Sequence, residues 1–205
     1  MAIGTRTKRL GMALLASSAV AVIILASVSA EANRPTPSVA GTRVDNFALT
    51  DQHGVGHELY YYKSAPALVL FAHALDDAPS AQSQQAIESL RAGYEARGVV
   101  FLGLNSNVRD SFDAIAVSAS TLKMPILKDE WQLAGRTLDL KTSADVLVIN
   151  PKTWTVVYQG PADDKLRAAG SSQARLAHAV DALIAGKVPS TETIKAKGTP
   201  LAFPD

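Results

Sequence analysis

Cysteine is absent from all 205 residues. No disulfide braces this chain, no thiolate serves as its nucleophile, and sulfur chemistry is left to Met1, Met12 and Met124. Aromatic residues are scarce at 6%, so aliphatic packing must carry the core. An excess of one charge is also missing. The net charge is +1, and Arg6, Lys8 and Arg9 all precede the first acid, Glu31, so the remainder is slightly acidic. That composition holds no basic stripe for a nucleic-acid partner.

Long unbroken apolar sequence is confined to one place. Residues 1–30 have a basic start, an apolar run from Leu10 to Val28, and the small-residue site Val28-Ser29-Ala30 ahead of Glu31. This pattern predicts an export signal cleaved after Ala30. Retention of residues 10–28 as a transmembrane anchor is the rival expectation. Both place the rest in a periplasmic or other extracytoplasmic compartment. Disulfides are permitted there, yet this chain has none to make.

Pro35, Pro37 and small polar residues mark 31–46 as a linker. Phe47–Thr50 and His57–Tyr60, joined by Asp51-Gln-His-Gly-Val-Gly56, predict a hairpin. Leu68–Ala72 and Val99–Leu104 are continuous apolar runs, as in strands covered on both faces. Ile87, Leu90 and Tyr94 give helical spacing between them, over about 80–97. A second helix is expected to start at an Asp110 cap, with Phe112, Ile115 and Ala116 inward. Asp129-Glu-Trp-Gln132 has the form of a capping box for a short helix through Leu138. Asp145–Ile149 and Trp154–Tyr158 predict strand, turn, strand. The closing helix, about 172–185, turns Leu176, Val180, Leu183 and Ile184 inward and stops at Gly186. The folded domain is then 47–186, and 187–205, with three prolines, reads as an extended tail.

The order βαβ followed by ββα, with a right-handed crossover between the parallel strands, is that of a thioredoxin-like α/β fold. It predicts three layers, a central mixed sheet with helices on both faces, plus the N-terminal hairpin and hydrophobic helix. Several stretches then resemble redoxins of the alkyl hydroperoxide reductase/thiol-specific antioxidant type, from about Gly41 to Gly198. They are Phe47-Ala-Leu-Thr-Asp-Gln-His-Gly54, Arg97-Gly-Val-Val-Phe-Leu-Gly-Leu-Asn-Ser-Asn107, Ile126-Leu-Lys-Asp129, Val146-Leu-Val-Ile-Asn150, and Tyr158-Gln-Gly160 with Asp163-Asp164.

The resemblance implies a nucleophilic cysteine at the start of the first helix, and counting back from Leu90 puts that place at or beside Asp77. It implies a cis-proline before the third central strand, where Ala144 stands, so Ser143–Ala144 is expected to be trans. It implies Gly-Cys near the tail, where Gly198-Thr199 stands. All three departures fall on the redox apparatus. The expected cleft therefore comprises His73, Asp76, Asp77, Asn105, Asn107, Ser143 and Ala144, with no catalytic residue and no cofactor.

Other groupings have plainer readings. His73 with Asp76 and Asp77, above all His73 and Asp77, offers imidazole and carboxylate to a metal. Against this, an acid before a helix is usually a cap, a histidine at a strand end usually makes one hydrogen bond, and a site normally needs three or four ligands. His53 and His57 read as solvated turn residues. Asn105 and Asn107 read as satisfying backbone at a strand end, Asp163-Asp164 as a solvated turn, Gly54 and Gly56 as turn formers, and Trp131 and Trp154 as packing. The expectation is a non-enzymatic accessory or binding protein with a protein partner in the cell envelope. The alternatives are a thiol-disulfide or peroxide oxidoreductase, by resemblance, and a metal binder using His73 and Asp77.

Overall fold

In the computed structural model, β3 (Leu68–Ala72) is buried along its whole length, as its unbroken apolar sequence requires. The structure describes residues 1, 39–166 and 173–203. The expected signal or anchor at 1–30 lies outside them except for Met1. Among the described residues no helix is long and apolar enough to cross a membrane. Ser38–Asp205 make up one structural unit, and all the elements below belong to it.

The other strands are β1 (Ala48–Asp51), β2 (Gly56–Glu58), β4 (Val100–Asn105), β5 (Ile126–Lys128), β6 (Val146–Asn150), β7 (Thr155–Gly160) and β8 (Glu192–Thr193). The helices are α1 (Ala78–Tyr94), α2 (Phe112–Ser118), α3 (Leu133–Thr137) and α4 (Gln173–Ile184). One eight-stranded mixed sheet runs in the order β2-β1-β5-β4-β3-β6-β7-β8. β3, β4 and β5 are mutually parallel, and β6 pairs antiparallel with β3.

Side chains of the central strands alternate between two cores. Val69, Phe71, Val146 and Val148 face Ile87 of α1, Ile115 of α2 and Leu176 and Val180 of α4. Leu68, Leu70, Leu147 and Ile149 face Leu59 and, from α3 and its C-terminal side, Ala134, Leu138 and Leu140. This is the expected thioredoxin-like layering, with three of the four described helices on one side. Gly103 of β4 makes that side possible: an added Cβ would come 2.5 Å from Ile126 Cδ1 and 3.0 Å from Phe71 Cε1.

Several local expectations need correction. Ser111, not Asp110, caps α2, its side chain accepting from Ala114 N at 3.2 Å; Asp110 is drawn away by other donors. Within α2 only Ile115 is fully buried. Asp129-Glu-Trp-Gln132 forms no capping box: Gln132 is itself the cap residue, in a left-handed conformation, and its Nε2 donates back to Glu130 O at 2.6 Å.

Residues 39–46, expected as linker, lie along β7, where Gly41 N and Val44 N donate to Val156 O and Trp154 O. The tail is tied in as well. β8 extends the sheet beside β7, and Thr142 and Pro200 form an antiparallel bridge. Gly198 permits this approach, since a Cβ there would lie 2.7 Å from Ala144 N and 2.9 Å from Ala144 Cβ. Gly198→Val is accordingly expected to lift the tail off this loop. Limited proteolysis should then cleave around residues 199–203 several-fold faster than in the wild type.

Candidate functional site

At the carboxyl edge of β3, β4 and β5 the apolar alternation continues into polar residues. Phe71 pairs with Gly103 and Gly103 with Ile126. One step further on the same face come His73, Asn105 and Lys128, all buried. Polar groups held there need internal partners, and the loop after β4 supplies them.

Asp110 is the centre of that network. Its Oδ2 accepts from Asn105 Nδ2 at 2.7 Å and from Leu75 N at 2.8 Å, and its Oδ1 accepts from Asn107 Nδ2 at 3.2 Å. Asn105 also donates through Nδ2 to His73 Nδ1 at 3.1 Å, and its Oδ1 accepts from Asn107 N at 3.2 Å. Lys128 Nζ donates to Asn107 O at 3.1 Å. Asp110 and Lys128 are the members that sequence reading missed. Their signal was present but ambiguous: an acid just before a helix is read as a cap.

Because Asn105 Nδ2 occupies His73 Nδ1, the network assigns Nδ1 as acceptor and puts the ring proton on Nε2. Burial lowers the His73 pKa from 6.5 to about 4, against a smaller upward pull from Asp110. His73 is thus a neutral donor at pH 7. Metal binding through Nε2 would require the other tautomer and the loss of the Asn105 bond. Among the described residues no group of three or more metal-ligating side chains occurs.

Asp77 is the N-cap of α1. Its Oδ1 accepts from Ser80 N at 2.7 Å, and Pro79 in the first turn suits the same helix start. Ser80 Oγ accepts from Ala74 N at 2.8 Å, which fixes the strand-to-helix loop. Asp76, between them, is exposed and left-handed at φ 51°. On the far side, Asp145 Oδ2 accepts from Lys141 N at 2.7 Å and Thr142 N at 2.8 Å. Burial raises its pKa against those bonds. Ser143 Oγ accepts from Thr199 N at 3.1 Å, and Ala144 is buried against Leu166 and Ala196. No peptide bond among the described residues is cis.

Asp76, Asp77, Asn107 and Ser143 line one hollow of about 340 Å³, with Thr199 and Leu201 of the tail across it. His73 lines an adjoining hollow of about 440 Å³ on the α1 side, again with Asp76 and Asp77. Asn105 stands behind both, and Ala144 lines neither. Among the described residues the side-chain partner of His73 is Asn105, not a hydroxyl.

The remaining candidates lie elsewhere. His53 is exposed, as expected of a turn residue. His57 is not a solvated turn residue: its Nε2 meets Asp51 Oδ2 at 2.8 Å and its Nδ1 meets Tyr62 Oη at 2.5 Å. This pins the hairpin to the turn after it. Trp154 is packed, stacked on Tyr60 at 4.2 Å, whereas Trp131, expected in packing, is 78% exposed.

Known proteins share this architecture. The AhpC/TSA family description matches residues 40–161. Among curated proteins none matches the sequence. A hypothetical protein from Sinorhizobium meliloti 1021 is similar in structure at TM-score 0.71 and 23% identity, over 84% of this chain and 97% of its own. An uncharacterized conserved protein from Geobacillus kaustophilus matches at TM-score 0.64 and 25% identity, over 80% and 97%. Peroxidoxin BcpB from Mycobacterium tuberculosis matches at TM-score 0.55 and 18% identity, over 73% and 98%.

Proposed function

The chain belongs to the AhpC/TSA family, and from that premise we propose that it is a thiol-free member whose cleft binds a partner rather than turning over a substrate. One observation carries this reading. At or beside the place where the resemblance puts a nucleophilic cysteine stands Asp77, whose carboxylate is engaged in capping α1. A carboxylate in that position keeps the favourable interaction with the helix N-terminus, but it forms neither a mixed disulfide nor a sulfenic acid.

The residues around it support the same reading. His73, Asn105, Asn107 and Asp110 satisfy one another, which makes a stiff wall of fixed donors and acceptors. Such a wall suits recognition, where prearranged groups lower the ordering cost of binding. The partner is a protein of the cell envelope, and the basic start, apolar run and small-residue site within residues 1–30 support export to it. Intact mass of the native protein separates cleavage after Ala30 from a retained anchor.

Thiol-disulfide or peroxide oxidoreductase activity is the competing reading, favoured by the family itself. Purified, metal-stripped protein is expected to consume hydroperoxide and reduce disulfide no faster than buffer. Turnover at enzymatic rates without a helper protein would overturn the binding reading.

A further inference from the structure

His73 has a task that the internal network leaves open. It is only 4% exposed, and its Nδ1 is taken by Asn105 Nδ2. Its Nε2 has no hydrogen-bond partner among the described residues. Yet it is not among the enclosed, unpartnered side-chain atoms, which among the described residues are Ser83 Oγ and Glu88 Oε1. His73 lines the hollow of about 440 Å³ at the N-terminus of α1, a volume in the range of small-ligand sites. The N–H therefore keeps surface at the wall of that hollow, where a bound ligand can supply its acceptor.

The surroundings restrict what could supply the acceptor. Asp76 and Asp77 stand on the rim, and no described lysine or arginine lines the hollow, so an anion would meet repulsion. A metal ion needs a lone pair where His73 carries its proton. A simple organic cation would pair with the carboxylates but leave the His73 N–H unmet. What satisfies both is a neutral group with a carbonyl oxygen for His73 and N–H for the carboxylates. Ser80 and Gln84 add further polar groups, and Ala74, Leu75 and Ala81 give apolar walls to flank it.

We propose that this hollow is a carboxamide-binding site, with the ligand's carbonyl on His73 Nε2–H and its amide N–H groups on the carboxylates of Asp76 and Asp77. The inference rests on the binding reading and gives the partner a chemistry: it presents an asparagine or glutamine side chain, or a peptide bond, to the start of α1.

The test uses the full-length, ¹⁵N-labelled protein and small probes. Imidazole ¹⁵N shifts of His73 should report Nε2 protonated and Nδ1 bare at pH 7. Titration with acetamide should then shift the His73 Nε2–H resonance saturably, along with the amides of Ala74 and Ala81. Half-saturation is expected at about 10 mM or above, as for a ligand of so few atoms. Acetate and guanidinium should leave these signals in place. N-methylacetamide separates the two sources: a stronger response to it points to a peptide bond, and a stronger response to acetamide points to a side chain.

Protonated Nδ1, an equal response to acetate, or no saturable response to either amide would overturn the site. The outcome is separable from that of the turnover assay. Hydroperoxide consumption would sink the binding reading without touching this titration, and a silent titration would remove the site while leaving that reading in place.

Discussion

Acidifying the protein from pH 6.5 to pH 4 is expected to remove about 3 kcal/mol of folding stability through His73 alone, because burial lowers its pKa from 6.5 to about 4. The sign follows from proton counting. Between these values the unfolded chain binds the proton and the folded chain does not, so stability rises with pH through the window and is complete above it. Below about pH 4 both states are protonated and the contribution is gone. Two carboxylates titrate nearby with opposite senses. Asp51 lies below its usual value, owing to its bonds from His57 and the turn backbone outweighing burial, so its contribution is lost only at more acid pH. Asp145 is raised by burial, so it gives stability back as pH falls.

Comparison with His73→Gln isolates the histidine. Glutamine keeps an acceptor for Asn105 but has no proton to gain. Urea unfolding at several pH values should give a steep slope between pH 4 and 6.5 in the wild type and a shallow one in the variant. Equal slopes would mean that His73 is charged in the folded protein, contrary to a neutral ring accepting from Asn105.

Asp110→Ala is expected to be the most damaging single change at the cleft, costing about 3–5 kcal/mol. The carboxylate is 8% exposed and takes bonds from three separate donors. Alanine leaves Leu75 N and one of the two Asn105 Nδ2 protons without acceptors, at roughly 1–3 kcal/mol each, and frees the loop after β4 from the loop before α1. Asp110→Asn keeps one accepting oxygen and should lose about half as much. The measurement is the urea midpoint at unchanged slope. A loss under about 1 kcal/mol for the alanine variant would show that these donors find water instead.

The two changes are linked. Asp110 pulls the His73 pKa upward against burial, so Asp110→Asn should lower it further and narrow the pH range over which His73 is charged. The cleft therefore behaves as one polar unit, in which the loop after β3 and the loop after β4 are held by the same carboxylate.

Much of the layering was legible from residue pattern. Leu68–Ala72 and the strand from Val100 are apolar without interruption because both faces of a central parallel strand are covered. Ile87, Leu90 and Tyr94 recur at helical spacing because only one side of α1 meets the sheet. The signals for the Asp77 cap are local as well: an acid, a following proline and a helical period. Local signals failed where a distant group competed for the same side chain. Asp110 is a sound cap by sequence, but Leu75 N and Asn105 draw it off and leave the cap to Ser111. Asp129 likewise takes Ser106 Oγ at 2.8 Å and Gly135 N at 2.8 Å instead of closing a capping box.

The tail shows the same limit. Three prolines and no apolar period make residues 187–205 read as extended, yet say nothing of what they lie against. That depends on Gly198 permitting close approach to Ala144 and on Ser143 N donating to Thr199 O at 2.9 Å. Taken by itself, the sequence determined the chemistry this protein lacks, since no folding can supply a thiol to a chain without cysteine. It also determined the strand and helix order, because burial imposes its period on the residues. Only the tertiary structure decided which polar groups meet. Asp110 meets Leu75, His73 meets Asn105 and Gly198 meets Ala144 from segments far apart in the chain, and hydrogen-bond geometry is set after those segments have packed.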